Sequence, residues 1–303
     1  MKFEKMLHVA LDEVRMQMLG VQVLFGFQFN GLFQERFALL PPLGKLVAFA
    51  GLSLIVVTLG LLIAGPSQHR LVEQGNATRR LFGTVGRFAE LALATFIGAL
   101  ACDLYVVRLP YFGGSDAAAF AAAGIIIGLA LWYGAGLFLR RIVPKSEQEK
   151  PMPAASETSL HEKIDQMLTE ARVIFPGAQA LMGFQLAVTM TKAFAELPDS
   201  VRAIHFMSLC FVALAVLLLI TPATVHRLTF RGQDVARFHR IGSSLVTAGL
   251  APLILGLSAD FYVASFKILN DAKIAAVASA AAALLLAGLW YAIPLLLRDR
   301  GTH

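Results

Sequence analysis

Eight long apolar runs constrain this sequence more than any other feature. A helix needs about 20 mainly apolar residues to cross the hydrocarbon core of a bilayer. Runs of roughly that length cover residues 16–33, 46–64, 88–107, 117–139, 173–190, 205–221, 242–264 and 275–297. Because lipid offers no hydrogen-bond partner to an open strand edge, spanning segments of this kind are helices. The sequence therefore predicts an all-α, polytopic membrane protein with eight transmembrane helices.

Composition and motifs narrow the classes of function. Only 15% of the residues are charged, against about a quarter in soluble domains. This excludes a soluble enzyme, a disordered protein and a secreted disulfide scaffold. The sequence has no Gly-x-Ser-x-Gly, His-Glu-x-x-His or Cys-x-x-Cys motif, which are common signatures of catalysis or metal binding. We therefore expect no enzymatic activity, no cofactor and no bound metal.

The basic residues lie unevenly around the predicted spans, and this sets the expected orientation. On one side, 19 of the 26 Lys and Arg residues lie within residues 1–15, 66–87, 140–172, 223–240 and 298–303. On the other side, 7 lie within residues 34–45, 108–116, 191–204 and 265–273. Since cytoplasmic loops carry the excess of basic residues, we expect both termini in the cytoplasm.

The two halves of the chain match when one is shifted by 157 residues. Eight of the seventeen positions from 13 to 29 are then identical, where chance would give about one, so the match indicates an internal duplication. The same shift aligns Asp103 with Asp260 and Tyr105 with Tyr262. The predicted organisation is a first repeat at 1–143, a cytoplasmic linker at 144–160 and a second repeat at 161–303.

The number of spans determines how the two repeats are related. Four spans in each repeat make both repeats start on the same side of the membrane, so they run in parallel. Parallel repeats are related by an axis along the membrane normal. We therefore expect two four-helix repeats with pseudo-two-fold symmetry about that axis.

The repeated motif also resembles a known family. It reads Glu-x-Arg-x₄-Gly-x-Gln-x-Leu-x-Gly-Phe-Gln from Glu13 to Gln28, followed by Phe37-Ala38 and His69-Arg70-Leu71. This is similar to an uncharacterised bacterial family of four-helix membrane proteins, a domain of unknown function in which some members carry automatic ion-antiporter labels. The resemblance covers both halves, where typical members match one half, so this chain resembles a tandem-duplicated member. It implies a multi-pass protein of the bacterial inner (plasma) membrane.

Polar residues inside the spans are the first candidates for function. In the first span Arg15, Gln22 and Gly26 lie on one helix face, and the second repeat has the same pattern 157 residues later. A further glutamine follows six residues after the first one in each repeat, on a different face. The four glutamines are Gln22, Gln28, Gln179 and Gln185. They either line a polar path or hold neighbouring helices together by hydrogen bonds.

Two acidic residues in the spans are equivalent in the two repeats. Asp103 and Asp260 lie toward the outer end of the third span of each repeat. An acid at membrane depth is costly and usually pairs with another group or faces water. Two interpretations stay open for this pair. The acids either attract cations at an outer opening or serve as structural acids that cap a neighbouring helix.

A third group of polar residues lies at the cytoplasmic ends of the spans. It consists of Glu13, Arg15, His69, Arg70, Glu170, Arg172, His226 and Arg227. Glu13 and Arg15 are two residues apart and cannot pair on one helix, so their partners are expected at the second span. The group is interpreted as an ion-pair network or a lipid-headgroup site, with a proton relay through the histidines as the alternative.

The leading hypothesis is a channel or transporter that moves a small cation or protons along a polar path between the repeats. The alternative is a non-transporting membrane scaffold, or a subunit of a larger membrane complex, in which the polar residues serve packing. The lipid bilayer is the expected partner and nucleic acid is not. A homo-oligomer is left open.

Overall fold

The computed structural model describes residues 3–142 and 158–299, so most of the predicted linker lies outside the described residues. The first repeat consists of helices joined by short turns. A π-helical turn, Ala130–Gly134, joins the last two helices of this repeat. The helices of this repeat are α1 (Phe3–Gly31), α2 (Glu35–Ala38), α3 (Pro42–Leu71), α4 (Arg79–Phe112), α5 (Gly114–Leu129) and α6 (Ala135–Ile142).

The second repeat has the same order of elements. A second π-helical turn, Gly288–Ala292, interrupts its last long helix at the equivalent Leu-Trp-Tyr sequence. The helices of this repeat are α7 (Leu160–Thr189), α8 (Lys192–Ala195), α9 (Asp199–Leu228), α10 (Ala236–Leu269), α11 (Ala272–Ala287) and α12 (Ile293–Asp299). The duplication in the sequence is therefore also a duplication of local structure.

Local capping residues explain where several of the helices begin and end. Ser159 starts α7 with a capping box, in which its side chain accepts from the Glu162 N–H and its own N–H donates to the Glu162 carboxylate. Such reciprocal bonds satisfy amides that the first helical turn leaves unpaired. Gly113 after α4 and its equivalent Asn270 after α10 have positive φ values of 82° and 53°. Glycine and asparagine tolerate such values at the end of a helix.

Six helical segments are long and apolar enough to cross a membrane. The first long helix of each repeat, α1 or α7, has 29 or 30 residues, but neither is among the six. Both carry several charged side chains in their first half, which lowers their hydropathy. The expectation of eight spans is therefore met for six segments, and the spanning of α1 and α7 stays a prediction.

The bundle has two ends, which we name by their connections. The linker end carries the starts of α1 and α7 and the turns at 72–78 and 229–235, and the far end carries residues 32–41 and 190–198. The two repeats meet where α1 packs against α7. Helices α3 and α10 also contact each other. About half of the most apolar 18-residue stretch of each of these helices is buried, against 6% for the corresponding stretch of the segment Gly114–Gly134.

The contacts between the repeats are not symmetric. Trp290, in the π-helical turn of the second repeat, is fully buried and donates its indole N–H to the Gly60 carbonyl of α3 at 3.0 Å. The equivalent Trp132 is 39% exposed and stacks on Phe96 within its own repeat. Leu217, the equivalent of Gly60, is 62% exposed. The expected two-fold relation does not describe this contact.

Candidate functional site

The polar residues of α1 and α4 meet near the far end of the first repeat. Gln28 donates from Nε2 to both carboxylate oxygens of Asp103, at 2.8 and 2.9 Å. Both side chains are only partly buried. The sequence placed these two residues in different groups, a polar path and an outer acid, and the structure brings them together as one unit.

The equivalent pair in the second repeat has the same central contact. Gln185 donates from Nε2 to Asp260 at 2.6 Å and to the Ser208 hydroxyl at 2.8 Å. Ser208 in turn donates to the Gly256 carbonyl at 2.8 Å. A glutamine–aspartate pair between the first and third long helices is therefore a shared feature of both repeats.

A histidine closes the site of the second repeat. His205 lies with Nδ1 at 3.6 Å from Asp260 and donates from Nε2 to the Gln185 carbonyl at 3.1 Å. Its ring stacks on Phe29 and meets the edge of Phe194. Asp260, His205 and Gln185 are all completely buried. Asp260 is therefore not an exposed outer acid, because neighbouring side chains surround its carboxylate.

The first repeat has a cavity beside its Gln28–Asp103 pair. Position 48, equivalent to His205, is an alanine and lines a cavity of about 440 Å³ together with both members of the pair. The other walls are mainly apolar, including Phe27 and Phe37. Because alanine is smaller than histidine, the first repeat has a cavity at the place that His205 occupies in the second repeat.

Arg36 and Tyr111 mark the open side of this cavity. Both line it and both side chains are exposed. The Arg36 guanidinium donates to the Tyr111 hydroxyl at 2.8 Å and lies 5.1 Å from the centre of its ring. Among the described residues that line the cavity, Asp103 alone is acidic, so its carboxylate dominates the inner part.

The other two predicted path residues, Gln22 and Gln179, lie elsewhere and in unlike environments. Gln22 is buried at the contact of α1 with α7, where a Cβ on Gly177 would overlap its carboxamide. The space left at this contact is about 10 Å³ and is lined otherwise by apolar side chains. Gln179 is exposed. Within the described residues, the space at this contact is therefore narrow and mainly apolar.

At the linker end, one half of the predicted cluster forms buried contacts between the repeats. Arg70 of α3 forms a buried ion pair with Glu170 of α7. Arg15 pairs with Asp12 at 2.7 Å and donates to the Gln166 carbonyl of α7 at 3.1 Å. The network interpretation fits these residues, although Arg15 finds its acid on its own helix three residues earlier.

The other half of the cluster is arranged differently. Glu13, Arg172 and Arg227 are exposed, although they are equivalent to the buried Glu170, Arg15 and Arg70. His69 is buried, and its equivalent His226 stacks on Phe238 and lies 3.8 Å from Asp234. The structure does not join the eight predicted residues into one site.

Sequence analysis missed His205 and Ser208. Both lie in an apolar run of α9. Their equivalents in the first repeat are Ala48 and Gly51. A search based on identity between the repeats discards such positions. The signal that could have found His205 is a lone histidine inside a predicted span. Within residues 3–142 and 158–299, no three His, Cys, Asp or Glu side chains are grouped as a metal site.

Comparison with known proteins identifies the repeated unit. The family of unknown function DUF6328 matches the chain twice, over residues 2–136 and 155–294. Two matches in succession mean that the chain holds two copies of the family's domain. No curated protein and no solved structure matches the chain. The protein is a tandem-duplicated member of the DUF6328 family, built as a helical membrane protein.

Proposed function

We propose that this protein moves a small cation with an apolar body across the membrane, and that the cavity of the first repeat is its binding site. The observation that carries the proposal is the Asp103 carboxylate, which lines a cavity of about 440 Å³ with mostly apolar walls. This keeps the cation hypothesis but moves the site from the contact between the repeats into the first repeat.

The lining of the cavity favours an organic cation over a bare metal ion. A cation at Asp103 gains a charge-assisted contact inside a membrane protein, where such contacts are weakly screened. The walls also include Phe27 and Phe37, and aromatic rings can attract positive charge. A metal ion would instead need several oxygen ligands, and the cavity offers Asp103 and Gln28 beside apolar groups.

Hydrogen bonding at the pair supports a role for Gln28 in placing the acid. Its Nε2 holds both carboxylate oxygens, which fixes the orientation of Asp103 toward the cavity. The Gln28 Oε1 atom is buried and has no partner within the described residues. Gln28 therefore acts on a bound cation through Asp103, whose carboxylate it orients.

The test uses ethidium as a fluorescent cation with an apolar body. The purified protein in detergent should bind ethidium, and proteoliposomes should take it up faster than empty liposomes. The variant Asp103→Asn keeps the size of the side chain and removes the charge, so binding should weaken about tenfold or more. Asp199→Asn removes an exposed acid at the same end of the bundle and should leave binding unchanged. Equal binding by wild type and Asp103→Asn would refute the site.

A second candidate function is a non-transporting subunit of a larger membrane complex. The observation that favours it is the narrow space at the contact between the repeats, about 10 Å³. A protein of this kind would bind no ethidium and would raise no flux of ethidium, protons, Na⁺ or K⁺ above empty liposomes. That result would replace the transport proposal by this one.

A further inference from the structure

A basic crevice lies at the linker end of the second repeat. Three arginines, Arg172, Arg227 and Arg231, line an open cavity of about 970 Å³ between α7 and the last turns of α9. All three side chains are exposed. In the part of the chain that the structure describes, none of the three has a hydrogen bond or an ion pair to another residue. Their positive charges are therefore available to a ligand.

The rest of the crevice is mainly apolar. Leu168 and Phe175 of α7 form one wall, and Leu219 and Ile220 of α9 form the other. This gives the crevice two parts, a charged rim at the linker end and an apolar groove that runs along the helices. A ligand that fills both parts must carry an anionic group and an apolar chain.

The first repeat shows that this charge is not a general requirement of the fold. The equivalents of Arg172 and Arg227 are Arg15 and Arg70, which are buried and paired with Asp12 and Glu170. In the second repeat the position equivalent to Asp12 is Thr169. Acidic side chains therefore neutralise these two arginines in the first repeat. Among the described residues, their equivalents in the second repeat have no acidic partner.

The third arginine stands in a turn that both repeats share. Arg231 has a φ of 52° and precedes Gly232, with a φ of 77°. The equivalent residues Gln74 and Gly75 have φ values of 49° and 83°. The backbone of the turn is thus the same in both repeats. What differs is the side chain, neutral in the first repeat and cationic in the second.

We propose that this crevice binds the phosphate group of an anionic amphiphile. The guanidinium groups match phosphate oxygens with paired N–H donors, and basic pockets between membrane helices are suited to phospholipid headgroups. The apolar groove receives the hydrocarbon chain. The occupant is an anionic phospholipid of the surrounding leaflet, because a phosphate-bearing solute without a hydrocarbon chain would leave the apolar groove empty. This inference does not depend on the cation site at Asp103.

The experiment measures binding by the purified full-length protein in a non-ionic detergent. Native mass spectrometry titrations use phosphatidylglycerol as the anionic lipid and phosphatidylcholine as the zwitterionic lipid. A parallel calorimetric titration uses inorganic phosphate. We expect phosphatidylglycerol to bind more tightly than phosphatidylcholine. Inorganic phosphate should show no measurable binding. Binding of inorganic phosphate without preference for phosphatidylglycerol would overturn the phospholipid as the ligand and point to a phosphate-bearing solute.

Variants connect the binding to the three arginines. The triple change Arg172→Gln, Arg227→Gln and Arg231→Gln should weaken binding about tenfold or more. The charge-matched control changes Lys5, Arg80 and Arg87 to Gln, which are exposed residues at the same end of the bundle. This control should bind like wild type. Equal losses in the two triple variants, or no binding by wild type of either probe, would overturn the proposal.

A milder variant guards against misfolding of the triple variant. Arg231→Gln changes one exposed side chain and places there the residue that the equivalent turn of the first repeat already has. In size-exclusion chromatography this variant should elute as wild type does. It should bind phosphatidylglycerol several-fold more weakly than wild type. Wild-type affinity in this variant would count against the proposal.

Discussion

Arg70 of the first repeat forms its buried ion pair with Glu170 of the second repeat. The two residues come from α3 and α7, on either side of the predicted linker. Burying either charge alone would destabilise the protein, so each residue depends on the other as its counter-charge. This pair joins the repeats at the linker end, as Trp290 joins them through α3.

We predict that removing one member of the pair costs more than removing both. Glu170→Met should destabilise the protein by about 3–5 kcal/mol because Arg70 stays buried without a counter-charge. The double variant Arg70→Met/Glu170→Met should recover much of this loss. Equilibrium unfolding in mixed detergent micelles measures both. Glu196→Gln, which breaks an exposed ion pair with Lys192, is the control and should cost about 0–1 kcal/mol. A double variant less stable than Glu170→Met would contradict the prediction.

The two tryptophans should differ in their contribution to stability. Trp290→Phe removes the hydrogen bond to the Gly60 carbonyl. It should lower the free energy of unfolding by about 1–3 kcal/mol, because the buried carbonyl loses its indole donor. Trp132→Phe, at the equivalent exposed position, should stay within about 0.5 kcal/mol of wild type. Each variant retains one tryptophan. Acrylamide should therefore quench the fluorescence of Trp290→Phe more strongly than that of Trp132→Phe.

Filling the cavity of the first repeat should abolish its ligand binding. Ala48→His places at position 48 the residue that closes the equivalent site at position 205. A histidine there should occupy the space beside Asp103, so ethidium affinity should fall about tenfold or more. The control Ala48→Ser adds little volume and should bind as wild type does. Unchanged affinity in Ala48→His would place the cation elsewhere.

One exposed histidine at the linker end should show a raised pKa. The Nδ1 atom of His161 lies 2.5 Å from Asp234, and this hydrogen bond and the charge of the carboxylate raise the pKa of His161 above its usual value. A raised folded-state pKa means that the contact stabilises the protein below the unfolded-state pKa. The stabilisation is lost as the pH rises through the folded-state pKa.

An NMR titration of the His161 ring checks this. Asp234→Asn should return the pKa of His161 toward its usual value. His226 also lies near Asp234, so the titration should be repeated in His226→Gln to assign the effect to His161. A pKa for His161 at or below the usual value in wild type would be inconsistent with the contact.

The expected topology can be tested at the two ends of the bundle. In a variant without Cys102 and Cys210, a single cysteine at Ser115 or Lys273 should react with an impermeant maleimide from outside the cell. A cysteine at Gln233, or at Ser156 in the linker, should react only after the membrane is opened. This follows from eight spans with cytoplasmic termini. Labelling of the cysteines at positions 115 and 233 from the same side would show that α7 does not span.

The sequence predicted the elements better than their contacts. The predicted span at 16–33 overlaps α1, Phe3–Gly31, and the helix begins earlier because its first turns carry charged residues that hydropathy does not mark. The repeat was also predictable, since identities at a fixed shift need no structure. The pairing of Gln28 with Asp103 was not, because it depends on how α1 crosses α4.

Differences between the repeats were harder to predict than similarities. His205 and Arg231 have no identical counterpart in the first repeat, so a search for repeated residues passes over them. Gln22 and Gln179 are identical in type, yet one is buried and the other exposed. Duplicated residues keep their neighbours within a repeat, whereas contacts between repeats depend on an arrangement that the shift does not encode.

The contact of Trp290 with Gly60 has a consequence for how the chain is made. The two residues are 230 positions apart, so Gly60 emerges from the ribosome long before Trp290 does. Until the last helices arrive, the Gly60 side of α3 has lipid or solvent as its neighbour. The first repeat therefore completes its packing only after the last helices of the second repeat have been made, and a chain cut short before Trp290 would leave the Gly60 side of α3 uncovered.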